Sequence, residues 1–313
     1  MAKLLEYNAT LVERVDLTSQ LAIFKIRSDE TYAGAGPWFV PGQYMTIGLN
    51  NEAQPELGSV RRPMSIASAP EELDSLEFYI RYVAHPESEN PLTHLLWDTK
   101  ASDRIYLRDK AVGKFTLSHT VGEDDPRRMV FVAAGTGLAP FVSIVRSAVL
   151  RDPAADLSRY VVLHGASYPS DLGYVEELES YRTKGLHYIS SVSRPKEAPD
   201  WRGDTGRVED YFLPERLAEL EDRLELGAGG FVPDKVAVFI CGLQGTIGKT
   251  ITRLVPRGFV PETRKLRRAL EAPEDVAASV FFEQYDATPV IDVKDPDVIG
   301  PLRDQLRQAL ATA

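Results

Sequence analysis

The sequence predicts two domains, an amino-terminal antiparallel β-barrel followed by an α/β domain with an open parallel sheet. Before about residue 120, short strand-like stretches are separated by glycine and proline turns, as in a small barrel. After Met129, strand-like and helix-like stretches alternate, as in a parallel sheet with crossover helices. A chain of 313 residues is long enough to bury two cores. The polar, proline-containing segment Gly122–Arg128 (GEDDPRR) is the predicted boundary.

The barrel strands are predicted from short runs in which apolar residues alternate with polar ones. Pro41-Gly42 provides a turn before the third of them. The predicted strands are Thr10–Val15, Leu21–Ile26, Gln43–Leu49, Leu76–Val83 and Arg104–Leu107.

The second part of the chain is predicted to alternate between strands and helices. Ligands of such sheets bind beyond the carboxyl ends of the strands, where Gly135, His164-Gly165, Val192-Ser193 and Cys241-Gly242 all fall. The predicted elements are strand Met129–Ala134, helix 138–151, strand Tyr160–His164, helix 171–182, strand Leu186–Val192, strand Lys235–Cys241 and a helix from about 245.

The segment Met129–Arg146 (MVFVAAGTGLAPFVSIVR) predicts an anion-binding turn. A buried strand enters the turn Gly135-Thr136-Gly137, and a helix follows. The free N–H groups and the positive end of a helix dipole favour a phosphate there, and glycine lets the backbone approach it closely. Pro140 suits the first helical turn, but it replaces the third glycine of the usual dinucleotide fingerprint. By itself the turn is equally compatible with an ordinary strand–turn–helix.

Composition excludes several classes of function. The net charge of −10 argues against a nucleic-acid-binding protein, which would carry a basic face. No run of 18 apolar residues is present, so no membrane span is predicted. One cysteine excludes an internal disulfide and a cysteine-ligated metal cluster, and the five histidines lack metal-ligand spacing, so no metal site is predicted. The stretch MAKLLEYNATLVERV lacks the apolar core and cleavage site of a signal peptide, so a cytoplasmic protein is expected.

Two charged or glycine-rich stretches invite alternative interpretations. The segment Arg264–Arg268 (RKLRR) is either a basic docking patch for an acidic partner or a solvated helix face. The segment CGLQGTIGKT resembles an ATP-binding P-loop, but Leu243 occupies the position of its first glycine, five before Gly248. An ATPase is therefore not predicted.

Three segments together resemble the ferredoxin–NADP(+) reductase family: RRPMSIAS (Arg61–Ser68), GTGLAPF, and VFICGLQG (Val238–Gly245). Their order and spacing match that family over roughly residues 5 to 285. The resemblance implies an FAD-binding β-barrel at 1–121, an NADP(H)-binding α/β domain at 128–289 and a carboxyl-terminal extension at 290–313. It also implies electron transfer from NADPH through FAD to a one-electron carrier, ferredoxin or flavodoxin.

The resemblance implies a set of FAD-binding residues. Arg62, Met64 and Ser65 match the family's Arg-x-Tyr-Ser motif, with Met64 in place of the tyrosine that covers the flavin. A methionine sulfur still packs on an aromatic ring, so stacking is weakened and the redox potential is expected to differ. Glu89–Leu96 resembles the pyrophosphate-binding Gly-Pro-Leu-Thr segment, with Asn90 in place of the glycine. The implied FAD residues are Arg62, Pro63, Met64, Ser65, Tyr79, Arg81, Tyr82, Thr93, Gly113 and Lys114.

A second set is implied for the nicotinamide nucleotide. The extra phosphate of NADP(H) requires arginine and hydroxyl groups, and Ser193-Arg194 matches the family's pair at this site. NADP(H) is therefore favoured over NAD(H), although Ser167 stands where some relatives carry an arginine. The implied residues are Gly135, Thr136, Gly137, Pro140, Ser193, Arg194, Arg202, Arg207 and Gly242.

The resemblance also assigns catalytic roles. Ser65 and Glu283 are expected to orient the rings and serve proton movement, and Cys241 to shape the nicotinamide pocket. Tyr285, in a Glu-x-Tyr pattern, is expected to cover the flavin face and gate it.

Beyond Tyr285, leucines at helical spacing over Val298–Leu310 predict a helix. This helix is expected either to pack on the body of the protein or to make a contact at the active site or between subunits. The oligomeric state is left open. Two other functions also stay open: an NAD(H)-using flavin reductase or electron-transfer subunit of a larger oxidoreductase, and a non-catalytic nucleotide-binding module.

Overall fold

The computed structural model describes residues 4–30, 38–285 and 288–312. Its strands and helices form two compact units: Met1–His119 with Ala139–Ala155, and Thr120–Leu138 with Asp156–Ala313. The strands are β1 (Ala9–Thr18), β2 (Leu21–Ser28), β3 (Tyr44–Asn50), β4 (Ser59–Ser65), β5 (Leu76–Arg81), β6 (Arg104–Leu107), β7 (Arg128–Ala134), β8 (Tyr160–Ala166), β9 (His187–Val192), β10 (Asp204–Thr205), β11 (Val236–Gly242) and β12 (Val280–Gln284). The helices are α1 (Leu92–Trp97), α2 (Leu117–Thr120), α3 (Ala139–Arg151), α4 (Val175–Ser180), α5 (Pro214–Arg223), α6 (Gln244–Leu254), α7 (Arg264–Ala269) and α8 (Pro296–Thr312).

The first unit contains the predicted antiparallel barrel. Its strands are ordered β4-β3-β6-β1-β2-β5, and a bridge between Ile66 and Phe78 connects the two ends of this sheet. The inward faces bury an apolar core that includes Phe24, Ile47 and Phe78.

One barrel strand was not predicted from the sequence. β4 carries two arginines and Pro63, a composition that argues against a strand. Pro63 lies opposite Thr46 of β3, on a strand whose seven residues pair along one side only. A residue without an N–H is tolerated there because the missing donor breaks no second ladder.

The second unit contains the predicted parallel sheet, in the order β10-β9-β8-β7-β11-β12. Apolar residues of β7, β8 and β11 are buried, apart from the half-buried Ala134 and Ala166 at the strand ends, as expected for strands covered on both faces. The predicted helix 171–182 is wrong in its first turn. α4 begins only at Val175, because Tyr174 has a left-handed backbone (φ 60°) that a continuous helix cannot include.

Helix α3 follows the Gly-Thr-Gly turn yet packs within the first unit. The Ser143 hydroxyl donates to Ser68 O over 2.7 Å, and the buried Arg146 lies 3.2 Å from a carboxylate oxygen of Glu77. These contacts join α3 to the β4–β5 connection and to β5 itself. Helix α3 therefore packs with the barrel, although in the chain it lies between β7 and β8 of the parallel sheet.

The carboxyl-terminal helix α8 packs on the second unit of the same chain. Ile299, Leu302 and Leu306 are buried in its apolar core, and Glu271 pairs with Arg303 and Arg307. Of the roles expected for the extension, packing on the body of the protein is the one these contacts support. Residue 313 of the extension, and residues 286 and 287 between Tyr285 and the extension, lie outside the described residues. No helix in the described part of the chain combines the length and the apolar character needed to cross a bilayer.

Candidate functional site

Two glycine turns interlock at the carboxyl edge of the parallel sheet. The turn Gly135–Leu138 follows β7, and Gly242 ends the neighbouring strand β11. A Cβ on Gly137 would lie 2.0 Å from Cys241 O, so only glycine fits there. Gly135 has a φ of +56° and has no heavy atom of the described residues within 4 Å of an added Cβ. The turn is thus pressed against β11 on one side and open on the other, the shape that a bound pyrophosphate needs.

The predicted residues Cys241, Glu283 and Tyr285 come together beside this turn. Cys241 and Glu283 are register partners in the parallel pair β11–β12. The Cys241 thiol donates to the Tyr285 hydroxyl over 3.3 Å, and that hydroxyl donates to Thr136 O over 3.1 Å. Tyr285 is 45% exposed. Its hydroxyl is therefore anchored to the Gly-Thr-Gly turn while much of its ring faces solvent in the second unit.

Cys241 is held as a neutral thiol. Burial raises its pKa well above the ordinary value, the nearby charge of Glu283 raises it further, and the hydrogen bond with Tyr285 opposes both. A nucleophilic cysteine needs a lowered pKa. This environment instead fits the role predicted for Cys241, that of a small side chain lining a pocket.

The residues predicted to read the extra phosphate lie at the same sheet edge, at the end of β9. Ser193 N donates to Ala166 O and Arg194 N to Ser167 O, which joins this segment to the end of β8. Gly206 N donates to Val192 O and brings the following residue, Arg207, to the same edge.

The guanidinium groups at this edge differ in their contacts. Arg194 donates to the Tyr168 hydroxyl over 2.7 Å, and Arg207 is exposed. Arg202 donates to Pro199 O and Trp201 O within its own loop. Arg194 and Arg207 are therefore better placed for a phosphate than Arg202.

The P-loop-like segment has a structural explanation. Its Gly-Lys-Thr portion lies inside helix α6 and not in a loop before a helix. Lys249 lies 3.6 Å from the buried carboxylate of Glu209, and a Cβ on Gly248 would lie 2.4 Å from Val290 O. Lys249 therefore pairs with a buried carboxylate, and Gly248 permits a close approach of the Val290 backbone.

In the first unit, the predicted flavin residues gather around β4 and α1. Arg62 is exposed, and within the described residues one of its N–H donors is used, on Arg61 O. Ser65 is buried at the end of β4, and Thr93 is buried in the first turn of α1, where its hydroxyl accepts from Val83 N. Helix α1 lies against β3 and β4. A charged fork and two hydroxyls on adjacent elements form a donor set that suits a diphosphate and a polar ring edge.

Tyr44, which no sequence motif singles out, and the Gly113 turn lie in the same region. Tyr44 is the register partner of Ser65, and it exchanges two backbone hydrogen bonds of 2.9 Å with Val112. Gly113 has a φ of +118°, and a Cβ there would lie 3.1 Å from the Tyr44 ring. The half-buried Tyr44 supplies an aromatic ring next to Ser65 in a chain that carries Met64 at the usual tyrosine position. Only the strand pairing reveals that Tyr44 and Ser65 are close together. Lys114, which follows Gly113, is exposed.

The remaining predicted flavin residues divide between two environments. Tyr79 is buried on β5 beside the Ile66–Phe78 bridge, hence near Ser65. Arg81 is half-buried and ends β5, two residues earlier than the predicted strand end. Tyr82 stacks on His94 with ring centroids 4.5 Å apart and an interplanar angle of 8°. Tyr82 is thus engaged in packing on α1.

The basic segment Arg264–Arg268 lies at the other end of the parallel sheet. Pro261, three residues before α7, pairs with Val280 at the beginning of β12, whereas Glu283 lies toward its end. Arg264, Lys265 and Arg268 are exposed, and Arg267 donates to backbone oxygens of Pro273 and Val276. This placement favours the solvated helix face over a docking patch beside the site.

His164 lies at the carboxyl end of β8 and is completely buried. Its Nδ1 is 3.1 Å from the Tyr188 hydroxyl, and its Nε2 has no partner among the described residues. Burial lowers its pKa to about 3. His164 is therefore neutral at physiological pH, which suits a core residue and not an acid–base catalyst.

We expect His164 to make the protein less stable as the pH falls from 7 to 5. The unfolded chain gains a proton at an ordinary pKa of about 6.5, whereas the folded chain does not until about pH 3, so folding loses stability below pH 6.5. Urea unfolding of wild type and His164→Gln at pH 7 and pH 5 measures the difference. The variant should lose about 2 kcal/mol less over this interval. Equal losses would show that His164 is protonated in the folded state.

The chain has relatives among known reductases. Residues 131–250 match the family model described as an oxidoreductase NAD-binding domain. Ferredoxin–NADP reductase B of Sorangium cellulosum is 30% identical over 227 residues, which cover 72% of this chain and 82% of the relative. The flavodoxin/ferredoxin–NADP reductase of Rhodobacter capsulatus is 29% identical over 254 residues, covering 77% and 82%. The structure of a ferredoxin NADP+ reductase from Neisseria gonorrhoeae, solved with bound FAD and NADP, has the same fold, with a TM-score of 0.69 and 20% identity over 89% of this chain and 98% of that one.

Proposed function

Because the chain belongs to the ferredoxin–NADP reductase family, we propose that it binds FAD and NADP(H) and transfers electrons between NADP(H) and a one-electron carrier. Ferredoxin or flavodoxin is the proposed carrier, in keeping with the names of its relatives. The barrel, residues 1–121, is the proposed FAD domain and residues 128–289 the NADP(H) domain, with 290–313 as an extension. Bound FAD supplies the ability to take two electrons together and release them singly.

One observation carries this proposal: the interlocked glycine turns with Cys241, Glu283 and Tyr285 beside them. The Gly135–Gly137 turn offers backbone donors to a pyrophosphate on its open side. Cys241 lines the neighbouring strand end as a neutral, buried thiol, and its register partner Glu283 is the carboxylate that we propose for ring orientation and proton movement. This combination serves a redox nucleotide and offers no activated nucleophile.

The residues of the first unit have roles in the same proposal. Arg62 and Thr93 hold the FAD diphosphate, and Ser65 donates to the flavin ring. Tyr44 packs beside that ring together with Met64. These are binding and orienting roles, which determine how closely the reacting atoms of two bound cofactors are aligned.

Anaerobic stopped-flow reduction by NADPH and NADH in parallel tests the function. The purified protein should be yellow, and NADPH should bleach its flavin band. Mixing the reduced protein with ferredoxin or flavodoxin should restore the band. A colourless protein that cannot be reconstituted with FAD would instead indicate a nucleotide-binding module. Reduction by NADH alone, with no transfer to either carrier, would favour a flavin reductase or a subunit of a larger oxidoreductase.

Replacing Arg62 with alanine is expected to weaken FAD binding roughly 10- to 150-fold. A charged hydrogen bond lost from a phosphate is worth about 1.5–3 kcal/mol. FAD content after exhaustive dialysis measures the effect. Arg61→Ala is the matched control, since Arg61 is exposed on the same strand and lies over the Tyr106 ring. Equal FAD retention in both variants would remove Arg62 from the site.

Replacing Arg194 with alanine is expected to raise the KM for NADPH about tenfold and leave the KM for NADH nearly unchanged. The reason is that only NADPH carries the extra phosphate that a guanidinium would bind. Steady-state kinetics with ferricyanide as acceptor measures both constants. Equal changes for the two nucleotides would mean that Arg194 does not contact this phosphate.

A further inference from the structure

Arg194, which is proposed to bind the extra phosphate, is the first member of a hydrogen-bonded chain of three side chains. Arg194 donates to the Tyr168 hydroxyl over 2.7 Å, and that hydroxyl donates to a carboxylate oxygen of Glu197 over 2.8 Å. The guanidinium also lies 5.4 Å from the centroid of the Tyr168 ring. Arginine and carboxylate are thus linked through one phenol oxygen.

The backbone holds these three side chains in place. Arg194 N donates to Ser167 O, beside Tyr168, and Glu197 N donates to Arg194 O. Residues Pro195–Glu197 form one turn of 3₁₀ helix directly after the arginine. The carboxylate therefore stays close to the guanidinium. The hydrogen bond to the Tyr168 hydroxyl raises the pKa of Arg194, and the charge of Glu197 raises it further.

A phosphate that binds Arg194 encounters a guanidinium N–H already donated to Tyr168 and the negative charge of Glu197 nearby. It must compete with the Tyr168 oxygen for the guanidinium, and it brings about two negative charges to within two or three hydrogen-bond lengths of Glu197. Repulsion at such a distance in an exposed site corresponds to a change in affinity of roughly three- to tenfold, and salt screens it. A nucleotide without the extra phosphate avoids this repulsion.

We propose that Glu197, linked to Arg194 through Tyr168, is a specificity-determining residue that limits the preference for NADP(H) over NAD(H). The inference rests on the proposed function, because it concerns the same nucleotide site. Glu197 would distinguish nucleotides that carry a phosphate on the adenosine 2′ oxygen from nucleotides that lack it.

Glu197→Gln tests the proposal, because glutamine keeps an acceptor for the Tyr168 hydroxyl and removes the charge. The ratio of kcat/KM for NADPH to that for NADH, with ferricyanide as acceptor, should rise roughly three- to tenfold. Most of the change should appear in the KM for NADPH, and it should shrink at high salt. Glu215→Gln, an exposed carboxylate on α5, is the matched control and should leave the ratio unchanged. A ratio within twofold of wild type, or equal changes for both nucleotides, would overturn the proposal.

A binding measurement separates this proposal from the function itself. Calorimetry of adenosine 2′,5′-bisphosphate and of 5′-AMP needs no turnover. The Glu197→Gln variant should bind the bisphosphate three- to tenfold more tightly and 5′-AMP as the wild type does. If the wild-type flavin is not reduced by either nucleotide, the proposed function fails while this titration still decides the role of Glu197. Unchanged affinities in an active enzyme would overturn the role of Glu197 alone.

Discussion

Replacing Gly137 with alanine is expected to reduce NADPH-dependent turnover by about 100-fold or more and to lower stability. The added Cβ would meet Cys241 O at 2.0 Å, Cys241 C at 2.5 Å and Gly242 N at 3.0 Å. All three atoms belong to the backbone of β11, so no side chain can rotate away. The turn itself must move, and a displacement of about 1 Å at a positioning group costs about 100-fold in rate.

Overpacking a tight site also costs about 1–3 kcal/mol of folding free energy. Thermal unfolding, FAD content and ferricyanide reduction would be measured together. Gly245→Ala is the matched control, because Gly245 lies in α6 and an alanine Cβ there meets nothing within 4 Å in the described residues. In a helix, alanine is preferred to glycine, so the control should be at least as stable as wild type. A Gly137→Ala enzyme with wild-type kinetics and stability would show that the two turns do not interlock.

Replacing Tyr285 with serine is expected to tighten NADP(H) binding by about tenfold or more while turnover falls. In the role that the family resemblance implies, the Tyr285 ring covers the flavin face and must move before nicotinamide binds. Removing the ring then removes the free-energy cost of moving it, and a tenfold gain in affinity corresponds to about 1.4 kcal/mol. Product then leaves more slowly. Titration of NADP+ should show a charge-transfer band, and the flavin absorbance of the free variant should shift.

Tyr285→Phe separates the ring from its hydroxyl. The hydroxyl joins the Cys241 thiol to Thr136 O, so phenylalanine keeps the ring but loses its anchor to the Gly-Thr-Gly turn. We expect an intermediate affinity and a flavin spectrum close to wild type. If the serine variant matches wild type in both its spectrum and its NADP(H) affinity, Tyr285 is only a packing residue.

Much of the architecture was predictable because its signals are local. The strand–turn–helix at Met129–Arg146 and the strand before Cys241 each appear as one continuous stretch. The parallel sheet, and the edge at which its ligands are expected, followed from these stretches. The barrel was predictable from turn spacing, but β4 was missed because Pro63 and two arginines conceal a strand that pairs with β3.

The P-loop-like segment CGLQGTIGKT shows what motif spacing predicts and what it does not. Spacing alone argued against an ATP site, and in the structure the Gly-Lys-Thr portion lies within helix α6. What Lys249 does was not predictable. Its partner Glu209 is 40 residues earlier in the chain, and only the packing of α6 brings the two together.

By itself, the sequence determined the two-domain plan, the family and the glycine turns, because those features depend on residues adjacent in the chain. Only the tertiary structure decided that Cys241 is a neutral thiol joined to Tyr285, that Tyr44 lies beside Ser65, and that α8 packs on its own chain. It alone also linked Arg194 to Glu197 through Tyr168. These properties depend on burial, strand register and charge between residues far apart in sequence, and a pKa or a hydrogen bond is fixed only when folding sets those distances.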